Sequence, residues 1–115
     1  MTTPRRGEIW LARLDPIVGR EQAGTRPVLV LSIDSFNAAT YAGLVTVLPV
    51  TTTARPNNPF RVEVRPPEGG LARASFVIGE QTRTVSSQRL TKPLGTVSTL
   101  TMARVSEVVR ILLGL

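Results

Sequence analysis

The sequence predicts a mainly β fold: a small, strongly bent antiparallel sheet closed by one C-terminal α-helix. Three observations carry that prediction. Short runs rich in Val, Ile, Leu and Thr recur through the first two thirds of the chain and are separated by Gly-, Pro- and Asn-containing turns. After Ser98 the apolar period lengthens to that of a helix. At 115 residues, 42% of them hydrophobic, the chain can fill one ordinary core, so residues 1–115 are read as a single domain. A sheet this small and bent tends to curl into a partly open barrel.

Taken in order, Glu8-Ile9-Trp10-Leu11-Ala12-Arg13 is the first strand candidate. Residues 15–25 follow as a loop long enough to be functional, with two glycines and three charges. Pro27-Val28-Leu29-Val30-Leu31-Ser32 is a buried-type run, and a short helix near 34–40 is expected with Asp34 or Ser35 as its cap. Residues 44–50, Leu-Val-Thr-Val-Leu-Pro-Val, make a third strand. Phe60–Arg65 alternates apolar and charged residues, the mark of one wet face, and Ala74–Ile78 is a fifth candidate. The Pro/Asn/Gly segments 55–59 and 66–70 cannot lie inside a sheet and should bracket a hairpin arm. From Ser98 to Leu113, the residues Leu100, Met102, Val105, Val108, Val109, Leu112 and Leu113 read as one apolar helical face. Arg104, Glu107 and Arg110 take the other, and Gly114 is the stop.

Composition removes several chemistries. No apolar run approaches a membrane span and the N-terminus has no signal-like apolar segment, so a soluble, cytoplasmic protein is expected. Neither Cys nor His occurs. Their absence excludes disulfides, thiolate chemistry, zinc fingers, a Ser-His-Asp triad and a histidine acid/base pair. The eight acidic residues are scattered, with no D-x-D or D-x-x-E pair, so no metal site and no cofactor are expected. The net charge of +6 points to an anionic partner, nucleic acid first. Thirteen of the fourteen basic residues are Arg, with Lys92 the exception. That bias suits bidentate phosphate binding, and it equally suits GC-rich codon usage.

RNA can be cut by the acids, arginines, hydroxyls and amides that remain, because its 2′-OH is an internal nucleophile. A site must align that hydroxyl, stabilise the developing charge and move two protons. Gly19-Arg20-Glu21-Gln22-Ala23-Gly24-Thr25-Arg26-Pro27 holds such a set at the mouth of a buried strand. Arg26 there either faces a phosphate or pins the loop by pairing with Glu21. Thr51-Thr52-Thr53 offers hydroxyls at a strand end, or only β-propensity. Trp10 reads as core, whereas Phe60 and Tyr41 could pack or stack on a base.

Arg6-Gly7-Glu8-Ile9-Trp10, Leu14-Asp15-Pro16 with Gly19, and Glu21-Gln22-Ala23-Gly24 with Arg26-Pro27-Val28-Leu29-Val30 together resemble the MazF/PemK toxin family. Pro49 with Thr51-Thr52, then Glu80-Gln81 with Arg83-Thr84, continue the match in order over roughly residues 6–113. The resemblance implies a small SH3-like barrel of the MazF/Kid/CcdB type. It also implies a metal-independent, sequence-specific endoribonuclease that cleaves single-stranded mRNA to 2′,3′-cyclic phosphate and 5′-OH ends. The partners implied are single-stranded RNA, a second copy in a homodimer, and a cognate acidic MazE-like antitoxin whose disordered tail fills the RNA groove. Carried over by position, the catalytic arginine falls on Arg26 and the catalytic threonine on Thr51, with Glu21 as the acid beside the site. Arg20, Gln22, Thr52, Glu80, Gln81 and Arg83 fall on RNA-contacting positions. The Kid-like branch places an acid/base Arg and Asp on its fifth strand where this chain has Ile78 and Glu80, so Glu80 is read as a base contact. A guanidinium stays protonated, which makes Arg26 a stabiliser of phosphorane charge and Glu21 the more natural proton acceptor. Two alternatives are a gyrase-poison toxin of the same fold and an inert nucleic-acid-binding module. The C-terminus Leu113-Gly114-Leu115 lacks the Trp-Gly-Ile of the first.

Overall fold

In the computed structural model, which describes residues 3–14, 24–39 and 43–115, those residues form seven strands and two α-helices. The strands are β1 (Glu8–Arg13), β2 (Thr25–Val30), β3 (Leu44–Thr51), β4 (Arg61–Val64), β5 (Ser75–Ile78), β6 (Arg83–Ser86) and β7 (Leu90–Thr96). Helix α1 (Asp34–Asn37) lies between β2 and β3, and α2 (Thr99–Leu113) ends the chain. Short 3₁₀ turns occupy Glu68–Gly70, Gly79–Gln81 and Ser87–Arg89. Every strand pairing is antiparallel, in the order β4-β5-β3-β2-β1-β7, with β6 also on β3.

β3 organises the sheet. One edge pairs with β2; the other is shared, its first residues with β6 and its last two, Val50 and Thr51, with β5. Both faces of the central strands are covered, which is why their sequences read as unbroken apolar runs. Ile9, Leu29, Leu48 and Val50 pack on one face with Val62, Val64 and Val77 of the β4–β5 arm and Val105 and Val109 of α2. Trp10, Ala12, Val28, Val30, Val45 and Val47 pack on the other face with Val85 and Leu90. Strands β7-β1-β2-β3-β6 thus curl around this second cluster, and the turn Ser87–Arg89 leads from β6 into β7, a barrel-like arrangement.

Ser98 caps α2 by accepting the Thr101 N–H at 3.1 Å, and Gly114, at φ +73°, closes it in the left-handed conformation. The expected apolar face of this helix needs correction. Its buried stripe is Thr101, Val105 and Val109, at four-residue spacing, while Leu100 and Leu113 are 59% and 58% exposed. The first helix is shorter than expected, and neither Asp34 nor Ser35 caps it: Ile33 precedes it with no side-chain bond. The Asp34 carboxylate instead accepts the Arg6 backbone N–H at 2.7 Å and lies 3.6 Å from the Arg5 guanidinium. Arg6 also bonds the Leu31 carbonyl and, at 2.8 Å, the Ser106 hydroxyl, which ties α2 to the end of β2.

Strands β6 and β7 were not expected. β7 contains Pro93 and Gly95, which read as breakers, yet among the described strands it pairs only with β1, and Pro93 stands opposite Trp10 beside a register shift. Its glycine has a packing role: a Cβ on Gly95 would lie 2.6 Å from the backbone of Gly69 and Gly70, so the turn after β4 rests directly on β7.

Candidate active site at the ends of strands β2 and β3

Arg26 is the second residue of β2, opposite Ala12 of β1, and is half-buried on the face that carries Val28 and Val30. Thr51 is the last residue of β3 and is 7% exposed. The β2–β3 register pairs Val28 with Pro49 and Val30 with Val47. Arg26 and Thr51 lie two residues beyond the last paired residues of their strands, Val28 and Pro49. The pairing thus brings residues 25 positions apart in the chain to the same end of two adjacent strands. The Thr51 hydroxyl oxygen accepts the Thr53 N–H at 3.2 Å, so its own proton is what it can offer to a ligand oxygen. Thr52, just beyond, is exposed and borders a hollow with Pro27 and Leu94.

Glu21, Arg20, Gln22 and Tyr41 lie outside the described residues. Glu80 and Gln81 are in the 3₁₀ turn that follows β5, rather than on that strand. Ile78, the strand's last residue, is fully buried core. The turn is seated by Gly79: its N–H bonds the Phe60 carbonyl at 2.9 Å, and a Cβ there would lie 2.5 Å from that oxygen and 2.7 Å from Val108. Arg83 opens β6 opposite Val47, four residues along β3 from Thr51, or roughly 14 Å at about 3.4 Å per residue. Trp10 is core as expected, 3% exposed, with its indole N–H donating to Glu8 at 3.0 Å.

The segment leaving Thr51 runs through Thr53 and Ala54 into the Pro/Asn turn and returns at Arg61. Two bonds hold it. The Arg61 guanidinium donates to the Thr53 carbonyl at 2.8 Å, and the Asn58 amide donates to Glu80 at 2.5 Å. Sequence reasoning missed both Asn58 and Arg61. An Asn-Asn pair between prolines signals a turn, and nothing in its spacing reveals a partner 22 residues away. The Glu68 and Glu107 carboxyls sit below the usual glutamate range. The Thr101 hydroxyl and then the Ser98 N–H lower Glu68; the adjacent Arg110 guanidinium lowers Glu107. Glu68 sits at the N-terminus of α2, and Glu107 lies within it. Among the described residues no three acidic side chains gather in a metal-binding arrangement, and no helix is long and apolar enough to cross a membrane.

The family model described as "PemK-like, MazF-like toxin of type II toxin-antitoxin system" matches residues 5–113. The chain is 37% identical over 114 residues to endoribonuclease MazF9 of Mycobacterium tuberculosis, covering 96% of this chain and 97% of that protein. Its fold is similar to the crystal structure of MazF from Deinococcus radiodurans, with a TM-score of 0.86, 29% identity and full coverage of both chains. It is also similar to a mycobacterial endoribonuclease solved in complex with its cognate antitoxin, with a TM-score of 0.78, 25% identity and coverage of 100% of this chain and 97% of that one. A match spanning nearly the whole sequence, with the fold to go with it, places this chain in the PemK-like, MazF-like toxin family of type II toxin–antitoxin systems.

Proposed function

We propose that the protein is a sequence-specific, metal-independent endoribonuclease that cleaves single-stranded mRNA in the cytoplasm and so arrests translation and growth. The observation that carries this reading is the placement of Arg26 and Thr51 at the same end of the paired strands β2 and β3. In the proposed reaction the 2′-oxygen attacks phosphorus, the P–O5′ bond breaks, and a 2′,3′-cyclic phosphate and a 5′-OH result. Arg26 stabilises the charge that develops on the phosphoryl oxygens, and Thr51 donates its hydroxyl to one of them. Glu21 accepts the 2′-OH proton, and solvent water protonates the 5′-oxygen as the P–O5′ bond breaks. Arg20, Gln22, Thr52, Glu80, Gln81 and Arg83 hold the RNA on either side.

The partners follow from the same surface. A groove built for phosphates on a +6 chain also accepts an acidic disordered antitoxin segment, as the solved complex of the mycobacterial relative suggests. Leu100, Ile111, Leu113 and Leu115 leave an apolar surface along and beyond α2, which supports a homodimer. The test is direct: the purified protein should cut a single-stranded RNA and spare DNA of the same sequence, whereas cutting both strands or neither would refute the reading.

A further inference from the structure

The Pro/Asn turn and the Glu80 turn together frame an open hollow of about 630 Å³, lined by Arg55, Pro56, Asn58, Pro59, Phe60 and Glu80. Its walls are mostly apolar, with Phe60 half-buried among the prolines. Its polar edge carries Asn57 and one fixed pair. Asn58 uses its amide oxygen to accept the Phe60 N–H at 2.8 Å, and its amide nitrogen donates to Glu80 Oε2 at 2.5 Å. The amide orientation is thereby set, and the carboxylate is held at the rim with Oε1 still able to accept. Arg55 lies on the same rim, and the Arg61 guanidinium sits at the root of the loop, bonded to the Thr53 carbonyl two residues from Thr51.

An apolar slot with a ring, an acceptor-only carboxylate and nearby cations matches one nucleotide of a single strand. The base stacks, its edge donates to the carboxylate, and its phosphate lies by the arginines. A carboxylate accepts from an exocyclic amino group and is repelled by a carbonyl. Adenine, cytosine and guanine carry such an amino group. Uracil carries only an N–H flanked by two carbonyls.

We propose that this hollow is a base pocket in which Glu80, positioned by Asn58, selects a nucleotide with an exocyclic amino group and rejects uracil. The inference rests on the RNA-cleaving reading for its ligand, and it adds which part of the RNA the pocket reads and by what chemistry. Glu80 acts here on binding and specificity and takes no part in proton transfer.

The experiment uses the full chain and a pool of 2′-O-methyl oligonucleotides randomised over seven positions, which bind without being cut. Bound molecules are sequenced and affinities of single-position variants measured. Wild type should deplete uracil at one position. Glu80→Gln keeps an acceptor for Asn58 but adds a donor, so it should relax the discrimination several-fold at that position alone. Phe60→Leu keeps the apolar volume without the ring face and should weaken binding by roughly 5–100-fold, the range for losing one stacked base. Unchanged discrimination in Glu80→Gln, or a wild-type pool with no position selected against uracil, would overturn the pocket. RNA cleavage by the same preparation separates the two readings: cleavage without uracil rejection removes the pocket alone, and uracil rejection without cleavage removes the nuclease alone.

Discussion

The Glu68 carboxylate accepts the Ser98 backbone N–H at 2.9 Å, so the turn after β4 holds the residue that caps helix α2. A negative charge at that helix N-terminus is favourable in its own right. The Thr101 hydroxyl, the Ser98 N–H and the more distant Arg104 charge together keep the carboxyl below the ordinary glutamate value of 4.5, against a smaller opposing effect of burial.

A pH dependence follows. Because folding lowers this pKa, the stabilisation is fully present above the ordinary glutamate value of 4.5 and is lost as pH falls through the folded value below it. Glu68→Gln should cost about 1 kcal/mol at pH 7, a few degrees in Tm for a chain of this size. The gap between variant and wild type should close as pH drops below that range, and thermal melts across pH 3–7 check it.

Arg26→Ala should lower the cleavage rate by roughly 10²–10³-fold, the effect of removing one group that stabilises transition-state charge. RNA affinity should fall much less, because other arginines share the phosphate contacts. Arg26→Lys should not restore full activity, since an ammonium is a point charge where the guanidinium is a planar fork. Single-turnover kinetics at saturating RNA separate rate from binding, and a variant that lost only affinity would make Arg26 a positioning residue.

Thr51→Ala should impair cleavage with the fold kept. The threonine is nearly buried, but among the described residues its hydroxyl holds just the neighbouring Thr53 N–H, so the circular dichroism spectrum should match wild type while activity drops. A spectrum that changed with the activity would assign Thr51 to the strand end alone.

An acidic antitoxin segment should compete with uncleavable RNA, and its complex should weaken with salt. From about 0.1 M to about 1 M salt the screening length falls from about 10 Å to about 3 Å, and affinity should drop at least roughly tenfold. Titrations of labelled RNA with the antitoxin segment at several salt concentrations check both. Simultaneous, independent binding would require inhibition from a distant site.

What could be read from the sequence depended on whether a residue's partner was local. β1 has its expected bounds, and the stop Gly114 of α2 is as read, because strand alternation and the glycine stop are local rules. β7 was hidden because Pro93 and Gly95 are breakers by local rules, and only its pairing with β1 and its contact with the Gly69–Gly70 turn make them suitable. The outward Leu100 and Leu113 show the same limit, since counting apolar residues does not fix which stripe the sheet covers. At the site, Arg26 and Thr51 were each legible as candidates, whereas their placement at one end of adjacent strands depends on the β2–β3 pairing. The Asn58–Glu80 pair depends on two turns meeting.

The central claim, cleavage by the RNA's own 2′-OH at a site made of Arg26 and Thr51, is tested most directly on a defined single strand in excess EDTA. One copy carries a 2′-O-methyl at the scissile nucleotide, and product ends are identified by mass. The account predicts cleavage of the unmodified strand to a 2′,3′-cyclic phosphate and a 5′-OH, with the methylated strand intact. Cleavage of the methylated strand, 5′-phosphate ends, or activity that appears only with added Mg²⁺ would contradict it.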